Sequence, residues 1–171
     1  MIQKAYTETS IGQCHYRFRE GEGTPIVFLH QTPSSSLMYE EIIQLMPQNT
    51  CIAIDTPGFG MSDDISGNPN VAEYGQLIVE ALINIKIGDF HLLGHHSGAS
   101  IALHMENEFN HMVSSLTLIG AFLATKEEKE LMKNQTGLDW SPKEDGTHLL
   151  NAWKLAGDIL GAGENLDLRQ R

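Results

Sequence analysis

Residues 91–100, His-Leu-Leu-Gly-His-His-Ser-Gly-Ala-Ser, decide how the chain is read. Residues 90–93 suit a short apolar strand, and residues 99–109, with Ile101, Leu103 and Met105, suit a helix. Between them, Gly94 and Gly98 bracket His95-His96-Ser97. A strand that reverses sharply into a helix forces its middle residue into a sparsely populated backbone region. It also needs small neighbours on either side, so that nothing collides. The spacing predicts a turn that lifts the His96 side chain out of a sheet, above the start of a helix.

Working outward, residues 2–7 and 13–19 alternate as two strands would, with Gly12 in the turn between them. Pro25 opens Ile26-Val27-Phe28-Leu29, a continuous apolar run of the kind found in strands covered on both faces. The loop His30-Gln31-Thr32-Pro33-Ser34-Ser35-Ser36 ends in helix-capping residues, and residues 37–46 carry helical spacing up to Pro47. Cys51-Ile52-Ala53-Ile54 is a second buried-type strand, leading into a turn rich in Gly and Pro at residues 55–62. Residues 71–87 predict a long amphipathic helix with Leu77, Ile78, Ala81, Leu82 and Ile85 on its apolar side. Residues 113–119 predict one more strand.

This alternation predicts an α/β fold with a mostly parallel, doubly wound sheet and ligands beyond the carboxyl ends of its strands. From Gly120 the pattern changes. Residues 125–134 form a charged helix candidate, and residues 147–160 a second one anchored by Leu149, Leu150, Trp153 and Leu155.

A length of 171 residues suits one domain. Eleven Lys and Arg against 22 Asp and Glu give a net charge of −11, which argues against a nucleic-acid surface and offers no basic patch to anionic membranes. Cys14 and Cys51 each fall in a strand and read as buried free thiols. No apolar run has signal-peptide or membrane-spanning length, so a cytoplasmic chain is expected. No cofactor is expected. His15, His91, His104, His111 and His148 show no metal-ligand spacing, and a strand and a turn should aim His91, His95 and His96 in different directions.

Three features, in this order, resemble the α/β-hydrolase fold superfamily. His30-Gln31-Thr32-Pro33 is similar to its His-Gly-x-Pro loop, residues 55–62 to its Asp-x-x-Gly-x-Gly-x-Ser turn, and residues 92–98 to its Leu-Leu-Gly-His-Ser-x-Gly nucleophile elbow. The resemblance covers residues 2–119. It implies a partial hydrolase core over residues 1–120 and the start of a helical cap over residues 121–171. The family's catalytic His, and often its Asp or Glu, follow two further strands, so the fold is expected to be C-terminally incomplete and the chain truncated. The strand at Val113–Ile119 would then be an unpaired apolar edge, disposed to pair with a second copy or a partner chain.

His96 stands where the family carries Ser. One reading makes it a nucleophile or acid–base group, since imidazole can attack an acyl carbonyl or carry a proton near neutral pH. The other holds that the nucleophile is lost and the fold alone is kept. The Ser97 hydroxyl is expected to cap the helix. The resemblance also implies that the backbone N–H groups of Ser97 and Thr32 are oxyanion donors. His30 reads chiefly as ordering the loop, Gln31 replaces the family's Gly and reaches toward the pocket, and His95 reads as a satisfied buried histidine. Asp55 is expected to hold backbone N–H groups in its turn. His30, Gln31 and the cap-like Trp153 form the substrate-binding set for an apolar small molecule, although Trp153 serves equally as a helix anchor. The resemblance thus implies a hydrolase of a small apolar ester or related substrate. The alternative is a catalytically degenerate chain that binds a small molecule or a partner protein.

Overall fold

A computed structural model describes residues 1–121, 124–125, 127–128, 130 and 141–159 of the chain. Strands β1 (Gln3–Thr9) and β2 (Gly12–Arg19) form an antiparallel hairpin. It is followed by β3 (Glu22–Leu29), β4 (Asn49–Ile54), β5 (Phe90–His95) and β6 (Val113–Ile119). They form one sheet in the order β1-β2-β4-β3-β5-β6. β4, β3, β5 and β6 run parallel, and β2 joins β4 antiparallel. The mostly parallel α/β sheet read from the sequence is the one found.

Side-chain parity explains why helices cover both faces. Val27, Leu29, Ile52, Ile54 and Leu92 point to one face, where they pack with Ile78 and Leu82 of α2 (Val71–Asn84) and Ile101 and Met105 of α3 (Ser97–Glu108). The intervening residues Phe28, Cys51 and Ala53 point the other way, onto Tyr39 and onto Ile43 of α1 (Glu40–Leu45). Strands buried on both sides must be apolar at every position, which is why 26–29 and 51–54 read as unbroken runs. Full burial of each such Leu, Ile or Phe contributes roughly 1.5–3 kcal/mol.

Boundaries differ from the sequence reading where tertiary pairing intervenes. Gly12, at φ 133°, opens β2, and Ser10 and Ile11 make the turn instead. β3 starts at Glu22, ahead of Pro25, because Glu22 pairs with Asn49. The ladder then shifts register before Ile26, and Pro25, with no N–H to give, falls in that irregularity. The helix expected over 37–46 divides into a 3-10 turn, Ser36–Tyr39, and α1, with Ser35 accepting the Leu37 N–H as the cap. Asn70 and Glu73 cap α2 reciprocally, and α2 ends before Lys86, which takes a left-handed φ of 63°.

Residues fall into two units, Met1–Phe122 and Leu123–Arg171. In the second, Thr125 and Glu128 exchange capping hydrogen bonds, and helix α4 spans Thr147–Ile159. Positions 126, 129 and 131–134 of the charged helix read from the sequence lie outside the described residues. Among the described residues, β6 pairs only with β5 and leaves Leu118 and Ile119 exposed at the sheet edge. No described helix is long and apolar enough to cross a membrane.

Candidate active site

β5 runs straight into the elbow. His96 takes φ 55° and ψ −113°, and α3 begins at the next residue. A side chain on Gly94 would strike the backbone of Gly98 and Ala99, and one on Gly98 would strike the carbonyls of Leu29 and His30. The two glycines are therefore what lets the turn close against β3. The backbone on either side of His96 is pinned: its N–H donates to the Ile119 carbonyl at 2.8 Å, and its carbonyl accepts the Ala99 N–H at 3.0 Å. The His96 side chain is left exposed. Among the described residues its ring makes no hydrogen bond, and the neighbouring ring of His95 lies edge-on, 6.4 Å away. A non-glycine residue held at such a φ/ψ costs on the order of 1–3 kcal/mol, and such costs concentrate at functional positions.

His95 departs from the sequence reading. It is half-buried, and its buried Nδ1 has no hydrogen-bond partner among the described residues. Burial and then the neighbouring His96 hold its pKa below the ordinary histidine value.

Ser97 departs too. It is the first residue of α3, one place inside the cap position that Ser favours, and the His96 before it makes no side-chain cap. The Ser97 hydroxyl crosses instead to the loop after β3. Its Oγ accepts the Thr32 N–H at 2.7 Å and donates to Thr32 Oγ1 at 2.9 Å. The Thr32 N–H, expected to face an oxyanion, is engaged by this hydroxyl. The Ser97 N–H opens the helix, where the first four N–H groups have no intrahelical acceptor.

His30 is almost wholly buried, at 1% exposure. Its Nδ1–H donates to the Gln31 carbonyl at 2.9 Å and its Nε2 accepts the Thr56 N–H at 3.0 Å, a tautomer fixed by those partners. Burial is the main cause that keeps its pKa below the ordinary value. With both nitrogens engaged inside, His30 ties two turns together and has none to offer a ligand, which corrects its place in the substrate-binding set. Gln31 beside it is half-buried. Trp153 lies on α4 in the second unit.

The residue that sequence reasoning missed is His15. Its Nδ1 lies 2.7 Å from Asp55 Oδ2, both side chains fully enclosed. Asp55 also accepts the Ser36 N–H at 2.5 Å and the Met61 N–H at 2.9 Å, and a side chain on Gly60 would strike its carboxylate. Burial pushes the Asp55 carboxyl up, but the donors from Ser36, Met61 and His15 outweigh it, so its pKa lies below the ordinary value. Asp55 thus holds backbone N–H groups, as its turn suggested, and is out of reach of a substrate. Among the described residues no group of three His, Cys, Asp or Glu side chains could hold a metal ion.

A strand, a left-handed residue at an elbow between two glycines with no room for a side chain, and a loop bonded across to the helix start come together after β5. The sequence profile of the alpha/beta hydrolase fold matches residues 24–148. The chain belongs to the α/β hydrolase fold family. Among relatives within this fold, haloalkane dehalogenase 2 of Mycobacterium bovis is 30% identical over 104 residues, 60% of this chain and 36% of that protein. A putative 2-succinyl-6-hydroxy-2,4-cyclohexadiene-1-carboxylate synthase of Haemophilus influenzae is 30% identical over 138 residues, 75% of this chain and 55% of that one. In structure, a variant of the N-acyl homoserine lactonase AidH superposes with a TM-score of 0.81 at 21% identity, covering 99% of this chain and 63% of that one. An epoxide hydrolase from Vigna radiata gives 0.75 at 16% identity, covering 92% and 57%. The chain spans less than two thirds of each of these α/β hydrolase fold proteins.

Proposed function

We propose that this chain carries the nucleophile half of a hydrolase site, acting on a small, largely apolar ester or a related acyl compound. The observation that carries the reading is the backbone of His96: a bulky, exposed residue kept at φ 55°, ψ −113° between two glycines that cannot be replaced. Strain of this kind persists where a side chain has to be presented. In the proposed step, a neutral imidazole nitrogen of His96 donates its lone pair to the ester carbonyl carbon, and the carbonyl oxygen takes up the negative charge. The Ser97 N–H at the head of α3 faces that charge, where the helix dipole also favours it. Collapse expels the alcohol oxygen, which takes a proton from water. A water molecule then adds to the acyl-imidazole, releasing the acid and restoring the ring. The lactonase among the structural neighbours makes an acyl–oxygen bond a reasonable first substrate class. The two buried free thiols, Cys14 and Cys51, support a cytoplasmic setting.

One observation favours a second reading, a degenerate site that binds a ligand without turning it over. Among the described residues no acid or base is hydrogen-bonded to the His96 ring, whereas activated nucleophiles generally have such a partner. Steady-state hydrolysis of p-nitrophenyl acetate by the parent and by His96→Ala separates the two. The hydrolase reading expects turnover that is lost in the variant while its fold is kept. Equal rates in both proteins would remove it.

A further inference from the structure

We propose that two copies of this chain join edge to edge through β6, about a two-fold axis at Thr117, so that their sheets run on as one. This concerns assembly and stands apart from the hydrolase reading above. The backbone pattern of the strand carries it. The His96 N–H donates to the Ile119 carbonyl, so the backbone groups of Ile119 face β5, and by alternation those of Thr117 and Ser115 do too. Leu116 and Leu118 lie between them and turn their N–H and C=O groups to the open side, where among the described residues nothing pairs with them. The regular edge is short. A register shift separates Val113 from Ser115, and Gly120 leaves the strand at a left-handed φ of 58°. Thr117 is the midpoint of what remains. An antiparallel copy centred there sets Leu116 opposite Leu118 and Leu118 opposite Leu116, and each such pair exchanges two N–H to carbonyl bonds.

Side chains and charge favour a second copy as the occupant. Proteins blunt a free edge with Lys, Pro or a bulge. Ser115-Leu116-Thr117-Leu118-Ile119 holds no charge and no Pro. On the face that Leu116 turns to the core, the exposed Leu118 meets Leu116 of the copy. On the other face Thr117 meets Thr117, and the exposed Ile119 meets Ser115. A net charge of −11 makes most of the surface repel a second copy, and two copies can touch along this neutral edge without that cost. Five residues span about 17 Å of strand. The contact therefore belongs to the small class, under about 1,200 Å² in all. Monomer and dimer should exchange with concentration.

Sedimentation equilibrium of the full chain reads the assembly. Its mass should climb from 18.9 kDa toward twice that value over about a hundredfold rise in concentration. Leu118→Lys, which charges the edge, should hold it at 18.9 kDa. Cross-linking reads the register and leaves the apolar side chains in place. Thr117→Cys sets two thiols face to face across the axis, whereas Ser115→Cys faces Ile119. Under mild oxidation the first should form about tenfold more intermolecular disulfide than the second. Cys14 and Cys51 are buried and do not compete. Hydrogen exchange tells a second copy from any other occupant: the Leu116 and Leu118 amides should exchange freely in dilute protein and be protected in concentrated protein. A mass fixed at 18.9 kDa, growth past the dimer, or equal cross-linking of the two cysteine variants overturns the proposal. So does protection of these amides at the lowest concentration, which would mean that another segment holds the edge.

Discussion

The side chains of His15 and Asp55 meet at 2.7 Å in the interior, one from the second strand and one from the turn after the fourth. Through Ser36 and Met61, the same carboxylate also holds the loop that carries Thr32 and the Gly-rich turn opposite it. The loop facing the elbow is thus fixed from a residue that no substrate can reach.

Asp55→Ala should therefore destabilise the fold by about 3 kcal/mol, since breaking a buried pair strands the partner and several donors. Urea unfolding measures it. A change below about 1 kcal/mol would mean that water replaces the carboxylate at little cost.

His96→Gly is expected to do the opposite. Glycine adopts positive φ without the steric penalty borne by His96, so stability should rise by about 1–2 kcal/mol. Activity should vanish in the same protein. A variant no more stable than the parent would show that the elbow is relaxed in solution.

Gly98→Ala places a methyl group against the Leu29 and His30 carbonyls. Backbone cannot yield as a flexible side chain can, so a loss of about 1–3 kcal/mol is expected, with the loop displaced from the elbow. Thermal unfolding reports the first. A fall in the rate of p-nitrophenyl acetate hydrolysis reports the second.

Stability should also fall on acidification. An unfolded histidine titrates near 6.5, whereas burial holds the folded His30 below that value. Between the two pKa values the unfolded state binds more protons, so the His30 contribution is complete above 6.5 and declines as the pH drops beneath it. His95 shifts in the same direction. Unfolding free energies compared from about pH 8 down to about pH 5 should show the decline, and His30→Gln should make it shallower. An unchanged slope would mean that the two turns tolerate a charged ring.

The runs at 26–29 and 51–54 were legible because strands covered on both faces have no polar positions. The elbow was legible because two glycines at fixed spacing have few other uses. His15 was not. In β2 it alternates with Cys14 and Tyr16 and shares its parity with Arg17, so period-two patterning alone would turn both outward. Yet α1 covers that side, and Arg17 is only 5% exposed and lies 3.5 Å from Glu40. Ser97 was misread for a different reason. Cap preference is a local rule, and the acceptor-and-donor partner it found, Thr32, lies 65 residues away. No local pattern encodes a bond of that span.

Acid-quenching the parent chain during turnover of p-nitrophenyl acetate and mapping the acetyl group by mass spectrometry tests the role of His96 most directly. An acetyl group on His96, within residues 91–100, is the predicted result. Turnover that proceeds with the acetyl group on another residue, or with none captured on the chain, would contradict it.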